Sequence, residues 1–253
     1  MARRVPLELV EVAPAGERAG PALLFVHGVR HGAWCWKEWQ DRLAERGIRS
    51  WAVSLRGHGG SGGRVTGATL NAYVEDIVAA AERISEPVVL VGHSMGGLLV
   101  QRAVHRVDAR GLALVASAPA HSGVPLMTQI ARHHPAKLLA VIACRSLPVT
   151  IEDLVSADVS PADGAAIMAK IGRESALAQY QITMPRKTPA RAPCPVLLFG
   201  SPDDRIIPVA DVERCGVEQA VPVRWLPGLG HSIMLEPRGS EARDELADWA
   251  LAL

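Results

Sequence analysis

Residues 87–98 read Pro87-Val88-Val89-Leu90-Val91-Gly92-His93-Ser94-Met95-Gly96-Gly97-Leu98, and the order within this stretch decides the fold. A short apolar run ending at Val91 has the length and β-branched content of a buried strand, and the run beginning at Leu98 is helical. Between them lies Gly-x-Ser-x-Gly. A serine forced onto so sharp a strand-to-helix turn must adopt a strained backbone that lifts its hydroxyl clear of the sheet. Only very small neighbours, Gly92 and Gly96, let strand and helix approach that closely. The bare motif is common in ordinary turns; its strand and helix context makes Ser94 a candidate nucleophile. Met95 follows at the helix start, so its backbone N–H is a candidate donor to a developing oxyanion.

Outward from this turn, short β-like runs alternate with helical stretches from about residue 21 onward. Strands are expected at 22–27, 50–55, 87–91 and 112–117, each bounded by Gly, Pro or polar residues. Leu70, Tyr73, Val74, Ile77, Ala81 and Ile84 recur at helical spacing, with Thr69 placed to cap that helix. After Ser117 the rhythm stops for about seventy residues, too long for a simple loop. Helical spacing within 151–178 points to an inserted helical cap, approximately 119–190, in a single domain spanning 1–253. A strand at 195–200, a helix at 209–218, a strand at 222–226 and a helix at 240–251 complete the pattern. Alternation of this kind predicts an α/β fold, a mainly parallel sheet covered by helices on both faces.

Two late loops carry polar groups suited to work with Ser94. Gly230-His231-Ser232 follows the last expected strand, which makes His231 the candidate base among nine histidines. His93 reads as packing beside the turn, His58 as part of a Gly-rich turn, and His133 and His134 as residues of the inserted segment. Asp203 and Asp204 both follow the strand at 195–200, and a carboxylate there can hold an imidazole in the required tautomer. In the first loop, Arg30 and His31 could border the pocket, but residues so placed are more often solvated. His121, Met127, Met168 and Met184 lie in the inserted segment, where methionine is more often adaptable packing than a substrate contact.

Composition removes several other function classes. The chain has 253 residues, 49% of them hydrophobic, and a formal charge of +1 with the signs interspersed. It offers no concentrated basic surface for nucleic acid. The four cysteines, Cys35, Cys144, Cys194 and Cys215, are scattered singly, unlike a zinc site or a disulfide scaffold. No apolar run is long enough to span a bilayer, and residues 1–13 lack the pattern of a secretory signal. A cytoplasmic protein acting on a small molecule is the expectation, with its oligomeric state open.

Taken together, His27-Gly28, Arg56-Gly57-His58-Gly59-Gly60-Ser61, the 92–97 turn, Asp204-Arg205-Ile206-Ile207-Pro208 and Gly230-His231 resemble the landmarks of the α/β-hydrolase superfamily, in that family's order. The resemblance runs from residue 22 to residue 251. It implies a Ser94, Asp204, His231 triad, Asp204 being preferred over Asp203 by its Asp-Arg-Ile-x-Pro context. It also implies a second oxyanion donor at the Val29 N–H, after the first buried strand. The segment 27–36 is similar to the branch of small-ester methylesterases and hydroxynitrile lyases. Ser232 stands where those lyases usually carry lysine, which argues against cyanohydrin cleavage. The implied activity is hydrolysis of a small ester or related acyl substrate through an acyl-enzyme, with no cofactor and no metal. Two alternatives stand beside it: a cofactor-free lyase or oxygenase using the histidine as base, and a non-hydrolytic ligand-binding member of the fold.

Overall fold

The computed structural model describes residues 5–120, 148–184, 187 and 190–253. Its centre is a seven-stranded sheet of order β1-β3-β2-β4-β5-β6-β7. The strands are β1 (Leu9–Val12), β2 (Ala22–Val26), β3 (Ser50–Val53), β4 (Val88–His93), β5 (Ala109–Val115), β6 (Val196–Gly200) and β7 (Arg224–Trp225). Only β1 runs antiparallel, beside β3 at the edge; every other pairing is parallel.

The central strands are buried along their length because both faces are covered, so they read as continuous apolar runs. Side chains still alternate between the faces. Leu24, Val26, Leu90, Leu114 and Leu198 pack on one side with helices α2 (Leu70–Ile84), α3 (Met95–Ala103) and α7 (Val209–Gln219). Leu23, Phe25, Val89, Val91, Val115 and Phe199 pack on the other with α1 (Lys37–Glu45) and α8 (Ser240–Leu251). There the Trp36 ring stacks on Phe25 at 4.7 Å between centroids. The expected cap of α2 is present: the Thr69 hydroxyl accepts the Ala72 N–H at 3.1 Å.

Three further helices, α4 (Ile151–Leu154), α5 (Pro161–Lys170) and α6 (Ala176–Thr183), occupy the region where sequence spacing is helical. Leu154, Val155 and Ile167 form a small apolar cluster of their own, with Met168 and Trp34 against it. His121, Met127, His133, His134 and Cys144 lie outside the described residues. No helix among the described residues is long and apolar enough to cross a membrane.

Two elements depart from expectation. Strand β1 precedes the region where alternation begins; it is a four-residue, half-buried edge strand, too short to leave a periodic signal. Strand β7 is only two residues, both exposed, instead of the expected 222–226. Pro222 has no N–H to give a ladder, and an edge position supplies no burial to extend it.

Candidate active site

Parallel strands that all point the same way deliver their following loops to one edge of the sheet. The loops after β2, β4, β6 and β7 carry Val29, Ser94 with Met95, Asp204 and His231, so topology gathers residues spread over more than two hundred positions.

Ser94 sits between β4 and α3 at φ 53°, ψ −121°, in a region that L-residues rarely occupy. The strain is held by its surroundings. Its N–H donates to the Val115 carbonyl at 3.1 Å, and its own carbonyl accepts from Ala118 at 2.9 Å. A methyl group added at Gly96 would clash with the Val26 carbonyl oxygen and, at 2.6 Å, with that of His27, so the helix start lies hard against the end of β2. Met95 is fully buried at the first turn of α3.

The loop after β2 lies equally close. A methyl at Gly28 would stand 2.8 Å from both Ser94 Cβ and His93 Nδ1. Val29, half-buried, therefore follows within one residue of contact with Ser94. His27 is structural: its Nδ1–H donates to the Gly28 carbonyl at 2.8 Å and its Nε2 accepts the Leu55 N–H at 3.0 Å. Its burial, with His58 nearby, holds its pKa well below the ordinary histidine value and keeps that neutral tautomer.

His231 Nδ1 donates to Asp204 Oδ2 at 2.8 Å, with the two side chains 3% and 1% exposed. The other oxygen of Asp204 accepts the N–H groups of Ile206 at 2.7 Å and Ile207 at 3.0 Å. Those two bonds fix the carboxylate so that one oxygen remains for the imidazole. Asp203 is occupied differently. It is exposed, and its Oδ2 accepts the Gly228 N–H at 2.6 Å. The imidazole is also placed from behind: His93 Nε2–H donates to the His231 carbonyl at 3.0 Å, and the two rings lie 4.7 Å apart. Since His93 directly precedes Ser94, this bond ties the His231 loop to the Ser94 turn. Burial, with His231 beside it, keeps His93 neutral by pushing its pKa well down.

The expectation of solvated residues at Arg30 and His31 is corrected by the structure. His31 is buried, stacked on Trp34 at 5.4 Å and edge-on to His93 at 5.8 Å, with its Nδ1–H on the Val29 carbonyl at 2.8 Å. Burial pushes its pKa down to about 4. Arg30 is half-buried, at φ 65°, and its backbone is tied to residues 172–174. His58 belongs to the Gly-rich turn as read, and it also joins a buried carboxylate, Glu174, at 3.1 Å.

Sequence reasoning passed over Glu174 and Glu236. Glu236 accepts the Gly230 N–H at 2.6 Å and the Ser156 hydroxyl, bracing the residue before His231. Neither carboxylate lies in a recognisable motif, and each shows itself only through partners distant in sequence. Among the described residues no group of three or more His, Cys, Asp or Glu side chains could hold a metal ion.

Comparison with known proteins agrees with this architecture. Residues 23–249 match the family described as the alpha/beta hydrolase family. A monoacylglycerol lipase of Mycolicibacterium smegmatis is 32% identical over 250 residues, covering 91% of this chain and 88% of that protein. Methylesterase 10 of Arabidopsis thaliana is 37% identical over a shorter stretch, 40% of this chain and 39% of that protein. In structure, a Paleococcus ferrophilus monoacylglycerol lipase superposes with a TM-score of 0.73 at 20% identity, covering 97% of this chain and 98% of the other, which is a likeness of fold.

Proposed function

Because the chain belongs to the alpha/beta hydrolase family, we propose that it is a serine hydrolase of small carboxylic esters working through an acyl-enzyme. The observation that carries this reading is the buried 2.8 Å bond from His231 to an Asp204 already anchored by two backbone N–H groups, at the edge of the sheet where Ser94 sits on its strained turn. Relatives with names such as monoacylglycerol lipase and methylesterase support the ester class.

In this mechanism His231 Nε2 takes the Ser94 proton as the hydroxyl oxygen attacks the ester carbonyl. The carbonyl electrons move onto oxygen, where the N–H groups of Met95 and Val29 receive the charge. Collapse of the tetrahedral adduct breaks the bond to the alcohol, which leaves with the proton from His231. Water then attacks the acyl-enzyme, giving its proton to His231, and the acid is released with Ser94 restored. Asp204 stays ionised throughout, orienting the ring and stabilising its protonated form. Each step uses side chains, backbone amides and water alone. The chain is read as one domain, with residues 119–190 as the cap that closes over the acyl pocket and sets substrate size.

The test is fluorophosphonate labelling followed by intact mass, run beside turnover of short p-nitrophenyl esters by wild type and Ser94→Ala. Wild type is expected to take one label and to turn over ester, and the variant to do neither. Turnover that survives in Ser94→Ala would transfer the chemistry to His231 as a base without a covalent intermediate. A folded wild type that neither labels nor hydrolyses would favour a ligand-binding role.

A further inference from the structure

Between α5 and α6 the chain crosses the loop that follows β2, and a set of polar bonds joins the two segments there. Glu174, 5% exposed, is at its centre. Its Oε1 accepts the Tyr73 hydroxyl at 2.7 Å and the Ser175 N–H at 2.7 Å. Its Oε2 accepts the Arg30 N–H at 3.1 Å and lies 3.1 Å from His58 Nε2. Two more bonds join the same strands of chain: the Gly172 N–H donates to the Arg30 carbonyl at 2.8 Å, and the Arg30 guanidinium donates to the Gly172 carbonyl at 3.1 Å. Arg30, held at φ 65°, is thus grasped at both its N–H and its carbonyl by residues of the inserted segment.

Burial alone would make a charged Glu174 costly. The bond and charge of His58, with the bonds from Tyr73 and Ser175, outweigh that cost and hold its carboxyl below the ordinary range. A buried carboxylate satisfied on both oxygens is rigid, and breaking such a network leaves unpaired groups behind.

We propose that Glu174 is a positioning residue for the oxyanion site: by holding the Arg30 N–H it fixes, together with His31 on the Val29 carbonyl, the Val29–Arg30 peptide, and so restricts the Val29 backbone whose N–H lies on the preceding peptide, making the inserted segment part of the catalytic geometry. This rests on the ester-hydrolase reading above. The requirement is for a carboxylate in particular. Both of its oxygens face backbone N–H groups, Ser175 and Arg30, which cannot reverse their polarity. A glutamine in its place keeps one acceptor only. Its best arrangement leaves the carbonyl on Tyr73 and Ser175 and turns the amide nitrogen toward His58, where it confronts the Arg30 N–H.

Glu174→Gln, compared with wild type per fluorophosphonate-titrated site, is the experiment. Removal of an oxyanion donor typically costs about 100- to 1,000-fold, so a misdirected one is expected to lower kcat by about 10- to 100-fold. KM for a p-nitrophenyl ester should stay within about threefold, since the ground-state carbonyl gains little from the hole. Affinity for an alkylboronic acid, which becomes a tetrahedral anion on serine, should fall in step with kcat. A folded variant with kcat within about twofold of wild type overturns the proposal, as does a loss carried by KM or one not mirrored in boronic-acid affinity. If Glu174→Gln does not fold, Glu174→Asp is read in the same way, because a carboxylate shortened by one methylene and anchored at Ser175 no longer reaches Arg30. Failure of the ester-hydrolase reading is distinguishable, since wild type itself would then lack Ser94 labelling and turnover.

Discussion

Two adjacent carboxylates in this protein have different surroundings, and the difference follows from a few backbone N–H groups. Asp204 is sealed against His231 and held by Ile206 and Ile207, while Asp203 lies at the surface and braces the turn at Gly228. Asp204→Asn should preserve the fold but favour the wrong imidazole tautomer, lowering kcat by about 1,000- to 10,000-fold. Asp203→Asn keeps an oxygen to accept the Gly228 N–H and should cost less than about tenfold. Steady-state kinetics on the two variants checks the assignment; the reverse order would move the acid to Asp203. From residue types alone both aspartates qualified, because side-chain direction within a turn is not written in their identity.

At the level of elements, the strands that carry the site were easier to recognise than the contacts that aim it. The loop carrying His231 is pressed against the inserted segment: Ser232 N–H donates to the Leu154 carbonyl at 2.6 Å, and Gly230 has no room for a side chain. A methyl there would stand 2.6 Å from the Val155 carbonyl carbon and 2.9 Å from the Ser156 nitrogen. Both obstacles are backbone, so they cannot rotate away. Gly230→Ala is expected to destabilise the fold by about 1–3 kcal/mol and to lower kcat by about tenfold as the loop shifts. Thermal unfolding and kinetics at saturating ester would show both effects; a methyl tolerated without either would mean that α4 can move away from the loop.

For the whole molecule, packing several histidines into one interior makes stability depend on pH. His27, His31 and His93 are all pushed down by burial, His31 to about 4 from an unfolded value of 6.5. Below pH 6.5 the unfolded chain binds protons that the folded chain refuses, so stability falls with acidification and is regained fully above pH 7. His31 alone should make the protein about 2 kcal/mol less stable at pH 5 than at pH 7. Urea unfolding at the two pH values measures the difference, and His31→Phe should reduce it by about that amount. An unchanged difference in the variant would show that the His31 site admits the proton.

Several features were determined by the sequence alone. Buried strands must be continuously apolar, helices must show one apolar stripe, and a strained strand-to-helix turn must have glycines beside Ser94. Each is a local demand, and 22–26, 70–84 and 88–97 display it without reference to anything distant. The parallel α/β plan and the presence of a serine, a late histidine and intervening acids follow from those local patterns. Tertiary structure alone decided which groups meet. His31 is buried because Trp34 and His93 enclose it, and His93 reaches the carbonyl of a residue 138 positions away. Glu174 meets Arg30 across 144 positions. A hydrogen bond is directional and effective only within about 3 Å, so such partners leave no periodic trace in the chain and appear only once the sheet has brought its loops together.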